Sequence, residues 1–316
     1  MHNPISCRGI ELYQKIRMKE KLFTGIHSAL FSIYNEKMDV KRDTVAKLVD
    51  YQLAGGVSGF YVGGNTGECT VLPNKTRKQM LETVAEANAG RGRIMAHIGA
   101  GHFDDVMDLL EHANRQRIDA VASLPPSLQS YYDHQETIAY YRCLAKASKH
   151  PVYAYVTPIS LQHSDLLAFA WELSRIEGIA GIKVTIPDYY RFALINRIDG
   201  GRLNNLNGPD EMLLCGLSVG ADGAIGTTYN VIPKIAVKVY ENYRRGDMKT
   251  ALLYQNRLND FVRVLMPYNG TEYWKAPLAW LGFDVGYTVF PTQPIPPQAM
   301  EKLKAELEEI GFFDMV

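Results

Sequence analysis

Gly220-Ala221-Asp222-Gly223-Ala224-Ile225-Gly226-Thr227-Thr228-Tyr229-Asn230 contains, in one short stretch, the unit from which this chain is built. A glycine and aspartate turn delivers the backbone into a brief apolar strand, residues 223–226, which ends in a loop carrying hydroxyls and an amide. Working outward, short apolar runs rich in β-branched residues recur at 26–31, 59–62, 93–98, 120–124, 152–155, 180–183 and 203–206, so the count reaches eight. Between them, residues 43–53, 75–89, 104–115, 135–148, 164–174 and 210–218 place apolar side chains at helical spacing. Alternation of this kind, from about Gly25 to about Tyr243, is expected of repeated βα units with a parallel sheet. Eight units close more naturally than they stay open, so the expected fold is α/β, a (β/α)8 TIM barrel. After Asp247 come three further helical stretches, 250–265, 273–281 and 297–310, with no strand between them. The expected organisation is an N-terminal extension over residues 1–21, the barrel over 22–246 and a C-terminal helical subdomain over 247–316.

Composition narrows the function. The chain has 316 residues, 47% of them hydrophobic, enough for one large barrel core. Thirty-four basic residues balance thirty-four acidic ones, with no run of like charge, which argues against nucleic acid or a membrane surface as partner and for a small molecule. Four scattered cysteines without a Cys-x-x-Cys pair suit free thiols in a reducing compartment. Lacking an apolar leader or any run of eighteen apolar residues, the sequence is expected to be a cytoplasmic protein.

In a barrel of this type the site is built from loops after the strands, which gives weight to polar residues at strand C-terminal ends. Lys183 closes the run Gly178-Ile179-Ala180-Gly181-Ile182. An amine that attacks a ketone must be unprotonated, and a dry barrel interior favours that state; the alternative is a lysine that snorkels from the strand end to water. Tyr155 ends Pro151-Val152-Tyr153-Ala154-Tyr155 one strand earlier, where a phenol can pass protons during imine formation or simply fill the core. The loop Gly63-Gly64-Asn65-Thr66-Gly67-Glu68 offers close backbone approach, amides and the Thr66 hydroxyl for a carboxylate, or is only a turn. A second polar group joins Asn207-Gly208-Pro209-Asp210-Glu211 to Gly226-Thr227-Thr228-Tyr229-Asn230. Its paired carboxylates suit the hydroxyls of a polyol, or merely favour the start of the next helix. Gly216-Leu217-Ser218-Val219-Gly220 matches a nucleophile elbow but lies between a helix and a strand, the reverse of the required context. The eight histidines show no metal-ligand spacing, so no metal is expected and His97 reads as a packed or supporting residue.

Taken together, these residues resemble the dihydrodipicolinate synthase/N-acetylneuraminate lyase family of pyruvate-dependent class I aldolases, from about Gly25 to the C-terminus. Tyr61-Val62-Gly63-Gly64-Asn65-Thr66-Gly67-Glu68 is similar to the lyase Tyr-Val-Gly-Gly-Ser-Thr-Gly-Glu. The opening stretch is similar to Gly-Ala-Asp-Gly-Gly-Ile-Gly-Ser-Thr-Tyr-Asn. The resemblance implies a barrel that assembles as a homotetramer, with Lys183 forming the Schiff base, Tyr155 relaying protons, and Gly64, Asn65 and Thr66 at the keto-acid carboxylate. It also implies that Thr185, Gly208, Asp210, Glu211, Gly226 and Thr227 bind the sugar-derived half. No arginine follows Tyr155 in Val156-Thr157-Pro158-Ile159-Ser160, which separates the chain from the dihydrodipicolinate synthases. The chain departs from the family where Ser32-Ile33-Tyr34 stands for Thr-Pro-Phe. It departs again in Pro125-Pro126-Ser127-Leu128-Gln129-Ser130-Tyr131-Tyr132, where the usual tyrosine is missing or shifted and Tyr131 or Tyr132 is the substitute on offer.

The expected activity is reversible cleavage of N-acetylneuraminate to pyruvate and N-acetylmannosamine, with no organic cofactor because the lysine nitrogen withdraws the electrons itself. Aldolase or dehydratase action on another 2-keto-3-deoxy sugar acid is the alternative within the same chemistry, followed by a dihydrodipicolinate synthase-like enzyme. A sugar-acid-binding or regulatory protein on the same barrel is the alternative outside catalysis.

Overall fold

A computed structural model of the chain describes residues 21–125, 132–158, 165–268 and 270–316. The expected N-terminal extension apart from Lys21, and Tyr131 with the five residues before it, lie outside the described residues. Eight parallel strands, β1 (Gly25–Ala29), β2 (Gly59–Val62), β3 (Arg93–His97), β4 (Ala120–Ser123), β5 (Val152–Val156), β6 (Ile179–Val184), β7 (Asn204–Asn207) and β8 (Gly223–Gly226), pair in sequence order and close on themselves as β8 meets β1. The fold is the expected (β/α)8 barrel, and each strand lies within a few residues of its expected position.

Helices follow every strand: α1 (Arg42–Ala54), α2 (Asn74–Asn88), α3 (Phe103–Ala113), α4 (His134–Ala147), α5 (Leu166–Ser174), α6 (Tyr189–Ile195), α7 (Leu213–Ser218) and α8 (Pro233–Arg245). The helical periodicity did not single out α6 or α8. The first has only 7 residues, too few for a repeating apolar face, and relies on Asp188, whose side chain accepts from the Arg191 N–H at its start. A stronger start signal opens α4, where Asp133 and Glu136 form a reciprocal capping box worth about 1 kcal/mol. Three further helices, α9 (Met248–Leu265), α10 (Thr271–Trp280) and α11 (Pro297–Glu309), follow the barrel.

Two apolar layers result from strand alternation. Outward residues such as Ile94, Val121, Ile182 and Ala224 pack against the helices. Inward residues, among them Phe23, Tyr61, Met95, Tyr153, Tyr155 and Leu206, fill the barrel. At the end where the strands begin, Tyr153 donates to Asn204 Oδ1 at 2.8 Å, and the Asn204 amide holds the backbone of Phe23. Tyr153 therefore closes the lower layer, while Tyr155, two residues on and on the same face, is left for the upper one. Asn230 from the opening stretch stitches the barrel shut: its Nδ2 donates to Ala29 O and its Oδ1 accepts from the Phe31 N–H.

Candidate active site

Strand pairing sets Tyr155 of β5 directly beside Lys183 of β6. The Lys183 side chain is 6% exposed, so it does not snorkel to water. Its Nζ lies 4.1 Å from the centroid of the Tyr155 ring and 4.7 Å from that of Tyr61. Tyr61, inward on β2, meets Tyr155 edge-on at 6.1 Å, so two phenols flank one amine. Burial raises the Tyr61 phenol well above its usual value, and its hydroxyl is buried without a partner. The sequence displayed Tyr61 in a strand but gave no sign that its ring would meet Lys183, because that contact crosses the barrel.

The loop after β2 begins at Gly63 with φ +75°, a conformation only glycine adopts without strain. His97 and Arg77 hold it from behind. The His97 Nδ1–H donates to Gly63 O at 3.0 Å, its Nε2 accepts from the Leu124 N–H, and Arg77 Nη2 donates to His97 O at 2.9 Å. Burial pushes the His97 imidazole well below its usual range, which keeps it neutral and suits this pairing. His97 is thus a supporting residue, as expected of it. Gly64 is needed for space, since a Cβ there would lie 2.3 Å from the Tyr61 ring.

Two residues past Lys183, Thr185 borders a cavity of about 570 Å3, lined also by Thr66, Gly208, Asp210, Glu211 and Thr227, while Lys183, Tyr155, Gly64 and Gly226 are not among its lining residues. Strand alternation places Thr185 on the same side of the chain as Lys183, and its Oγ1 is buried without a hydrogen-bond partner among the described residues. The hydroxyls of Thr66 and Thr227 meet at 2.6 Å and so join the β2 loop to the β8 loop. Asn65 stands apart from this group. It is exposed, does not line the cavity, and its Oδ1 faces the Cys69 thiol at 3.3 Å. Neither glycine has room for a side chain: a Cβ on Gly208 would come 1.9 Å from Thr185 Oγ1, and one on Gly226 equally close to Asp210 Oδ1.

Asp210 does not serve its own helix. Its carboxylate accepts from the Thr228 N–H at 2.7 Å, fixing the β7 loop to the β8 loop. Burial pushes its carboxyl up to about 6, despite that hydrogen bond and the Lys183 charge, which both act the other way. The C-terminal helices add to the cavity wall through Val262 of α9, Met266 just past its end, and Thr271 and Trp274 of α10. Next to Trp274, Lys275 is 3% exposed and reaches Glu68 Oε2 at 2.7 Å, while the Tyr34 hydroxyl donates to the same carboxylate. This buried ion pair ties α10 to the glycine-rich loop. Sequence reading missed Trp274 and the Lys275 pairing because neither carries a local signal.

A larger groove of about 1090 Å3 lies at the opposite end of the barrel, where β3 and β4 begin. Three of its four arginines are engaged: Arg91 with Asp50 and with the last carbonyls of α2, Arg93 with Asp119, and Arg115 with Glu111. They act as helix caps and ion pairs, so the chemistry belongs to the smaller cavity.

Fold and site together define a barrel enzyme of the lyase class. The sequence profile of the Dihydrodipicolinate synthetase family matches residues 22–310, and the chain belongs to that family. It is 33% identical over 264 residues to the N-acetylneuraminate lyase of Rhizobium meliloti (strain 1021), covering 83% of this chain and 87% of that protein. The Escherichia coli (strain K12 / DH10B) N-acetylneuraminate lyase is 28% identical over 292 residues, covering 90% of this chain and 96% of the relative. Among solved structures, Proteus mirabilis N-acetylneuraminate lyase superposes with a TM-score of 0.86 at 25% identity, over 92% of this chain and 99% of that one.

Proposed function

We propose that the protein is a class I aldolase that cleaves N-acetylneuraminate reversibly to pyruvate and N-acetylmannosamine through a Schiff base on Lys183. The observation that carries this reading is the buried Lys183 amine, in register with Tyr155 and 4.1 Å from its ring, two residues before Thr185, which lines a cavity with hydroxyls and two carboxylates. The Lys183 nitrogen attacks C2 of the open-chain acid and water leaves, forming the iminium. When C3–C4 breaks, the electron pair moves into that iminium and gives an enamine, and the C4 hydroxyl loses its proton as the aldehyde forms. Protonation at C3 and hydrolysis then release pyruvate and free the lysine. Tyr155 carries protons into and out of the carbinolamine. Gly64, Asn65 and Thr66 fix the keto-acid carboxylate, Asn65 by turning inward from its exposed position. Thr185, Gly208, Asp210, Glu211, Gly226 and Thr227 hold the polyol. The nitrogen is the electron sink, so this route needs no metal or organic cofactor.

We further read the enzyme as a cytoplasmic homotetramer with separate N-terminal, barrel and C-terminal helical parts. Support comes from the family resemblance, the balanced charge and the helices after β8. No described helix is long and apolar enough to cross a membrane. The deciding experiment measures pyruvate release from N-acetylneuraminate and from shorter 2-keto-3-deoxy sugar acids. Faster release from a shorter acid would transfer the assignment to that substrate.

Two outcomes test individual roles. Tyr155→Phe lowers kcat for cleavage by about 10²–10⁴-fold, while pyruvate still becomes trapped on Lys183 by borohydride; unchanged kcat would remove Tyr155 from the relay. Asp210 accepts from sugar hydroxyls more strongly when ionised than when protonated. Lowering the pH through about 6 therefore protonates it and raises KM for the sugar acid, an inflection that Asp210→Asn abolishes. A pH profile of KM that is the same in both proteins would refute that role.

A further inference from the structure

The cavity that Thr185 lines is two-sided in chemistry. Its polar side comes from the barrel loops through Thr66, Thr185, Asp210 and Glu211, whereas the C-terminal helical region contributes Val262, Met266 and the half-buried Trp274. At about 570 Å3 it falls within the ~300–1,000 Å3 range of sites that engulf sizeable ligands, far more than a three-carbon keto acid fills. The indole is held in place, because the next residue, Lys275, is locked to Glu68 in the buried ion pair, and Tyr273 before it stacks on Tyr268 at 4.8 Å. A ligand satisfying both sides presents hydroxyls along one edge and an apolar face along another. Sugar rings and chains have such C–H faces, and an N-acyl methyl extends one.

We propose that Trp274 is a specificity-determining residue that selects long, amphipathic sugar acids, N-acylated ones above all, by packing its indole against their apolar face. This rests on the aldolase reading and extends it from the reacting carbons to the far half of the substrate. The test compares N-acetylneuraminate with 2-keto-3-deoxygluconate in the parent, Trp274→Ala, Trp274→Phe and Trp171→Ala proteins. In Trp274→Ala the ratio of kcat/KM values, long acid over short, falls by about tenfold, chiefly through KM, the equivalent of about 1.4 kcal/mol of lost contact. Trp274→Phe keeps part of that preference, and Trp171→Ala, at an exposed position of α5 outside the cavity, keeps all of it. Equal losses on both acids, or none, overturn the proposal, and the ratio is insensitive to a general loss of folded enzyme.

If the parent neither traps pyruvate nor cleaves either acid, the aldolase reading fails and binding alone still judges Trp274. Of the three tryptophans, only Trp274 lines this cavity, so N-acetylneuraminate changes indole fluorescence in Trp171→Phe and not in Trp274→Phe. A response that survives Trp274→Phe, or no response in any form, overturns the inference.

Discussion

Lys183→Met abolishes pyruvate release, with kcat/KM falling on the order of 10⁴-fold or more, and removes the adduct trapped by pyruvate and borohydride. The size of the effect follows from what the nitrogen does. No neighbouring group can replace it, because the flanking Tyr61 and Tyr155 offer only phenols, and a phenol cannot form an iminium. Methionine fills nearly the same buried space without the charge, so the folded protein survives and the loss is chemical. Lys183→Arg is equally inactive, since a guanidinium does not condense with a ketone under these conditions. Mass spectrometry of the borohydride product checks the claim directly: a pyruvate adduct at a lysine other than Lys183, or residual turnover near the parent's, would dismantle the assignment.

Lys275→Met produces the largest loss of stability expected of any single exchange at the site. The Lys275–Glu68 pair is buried on both sides, at 3% and 8% exposure, and removing one partner strands the other charge in an apolar setting. Losses of about 3–5 kcal/mol accompany such half-removals. Among the described residues, only the Tyr34 hydroxyl would remain to the Glu68 carboxylate, at 3.2 Å. The double exchange Lys275→Met with Glu68→Leu recovers most of the stability, because it removes the stranded charge along with its partner. It does not restore binding, because Glu68 closes the loop that carries Asn65 and Thr66, and Lys275 adjoins Trp274. Denaturant unfolding of the three proteins decides the matter, and a Lys275→Met protein as stable as the parent would show that the pair contributes nothing.

Much of this architecture was legible from short-range pattern. Strand β8 can be read from its glycine turn and apolar run, and the same reading finds all eight strands because each is a brief segment with a turn before it and polarity after it. Where the pattern is short it fails, as at α6, with 7 residues and an aspartate cap in place of a repeating face. Among the candidate site residues, Lys183, Tyr155, Thr66, Asp210 and Thr227 stand out by chemistry at strand ends, Thr185 enters only through the family resemblance, and the barrel gathers them at one mouth. Asn65 enters through the family resemblance, and its side chain faces the Cys69 thiol, because a loop's sequence does not specify the direction of each side chain.

What the sequence alone determined is the repeating unit, the closed barrel it implies and the residue types at each strand end, since these follow from local periodicity and side-chain chemistry. Only the tertiary structure decided that Tyr61 shares Lys183 with Tyr155. The same holds for Asp210 bonding to the β8 loop in place of its own helix, and for α10 bringing Trp274 to the cavity through a buried ion pair. Those contacts join residues remote along the chain, and packing across a closed barrel leaves no periodic trace in the segments it brings together.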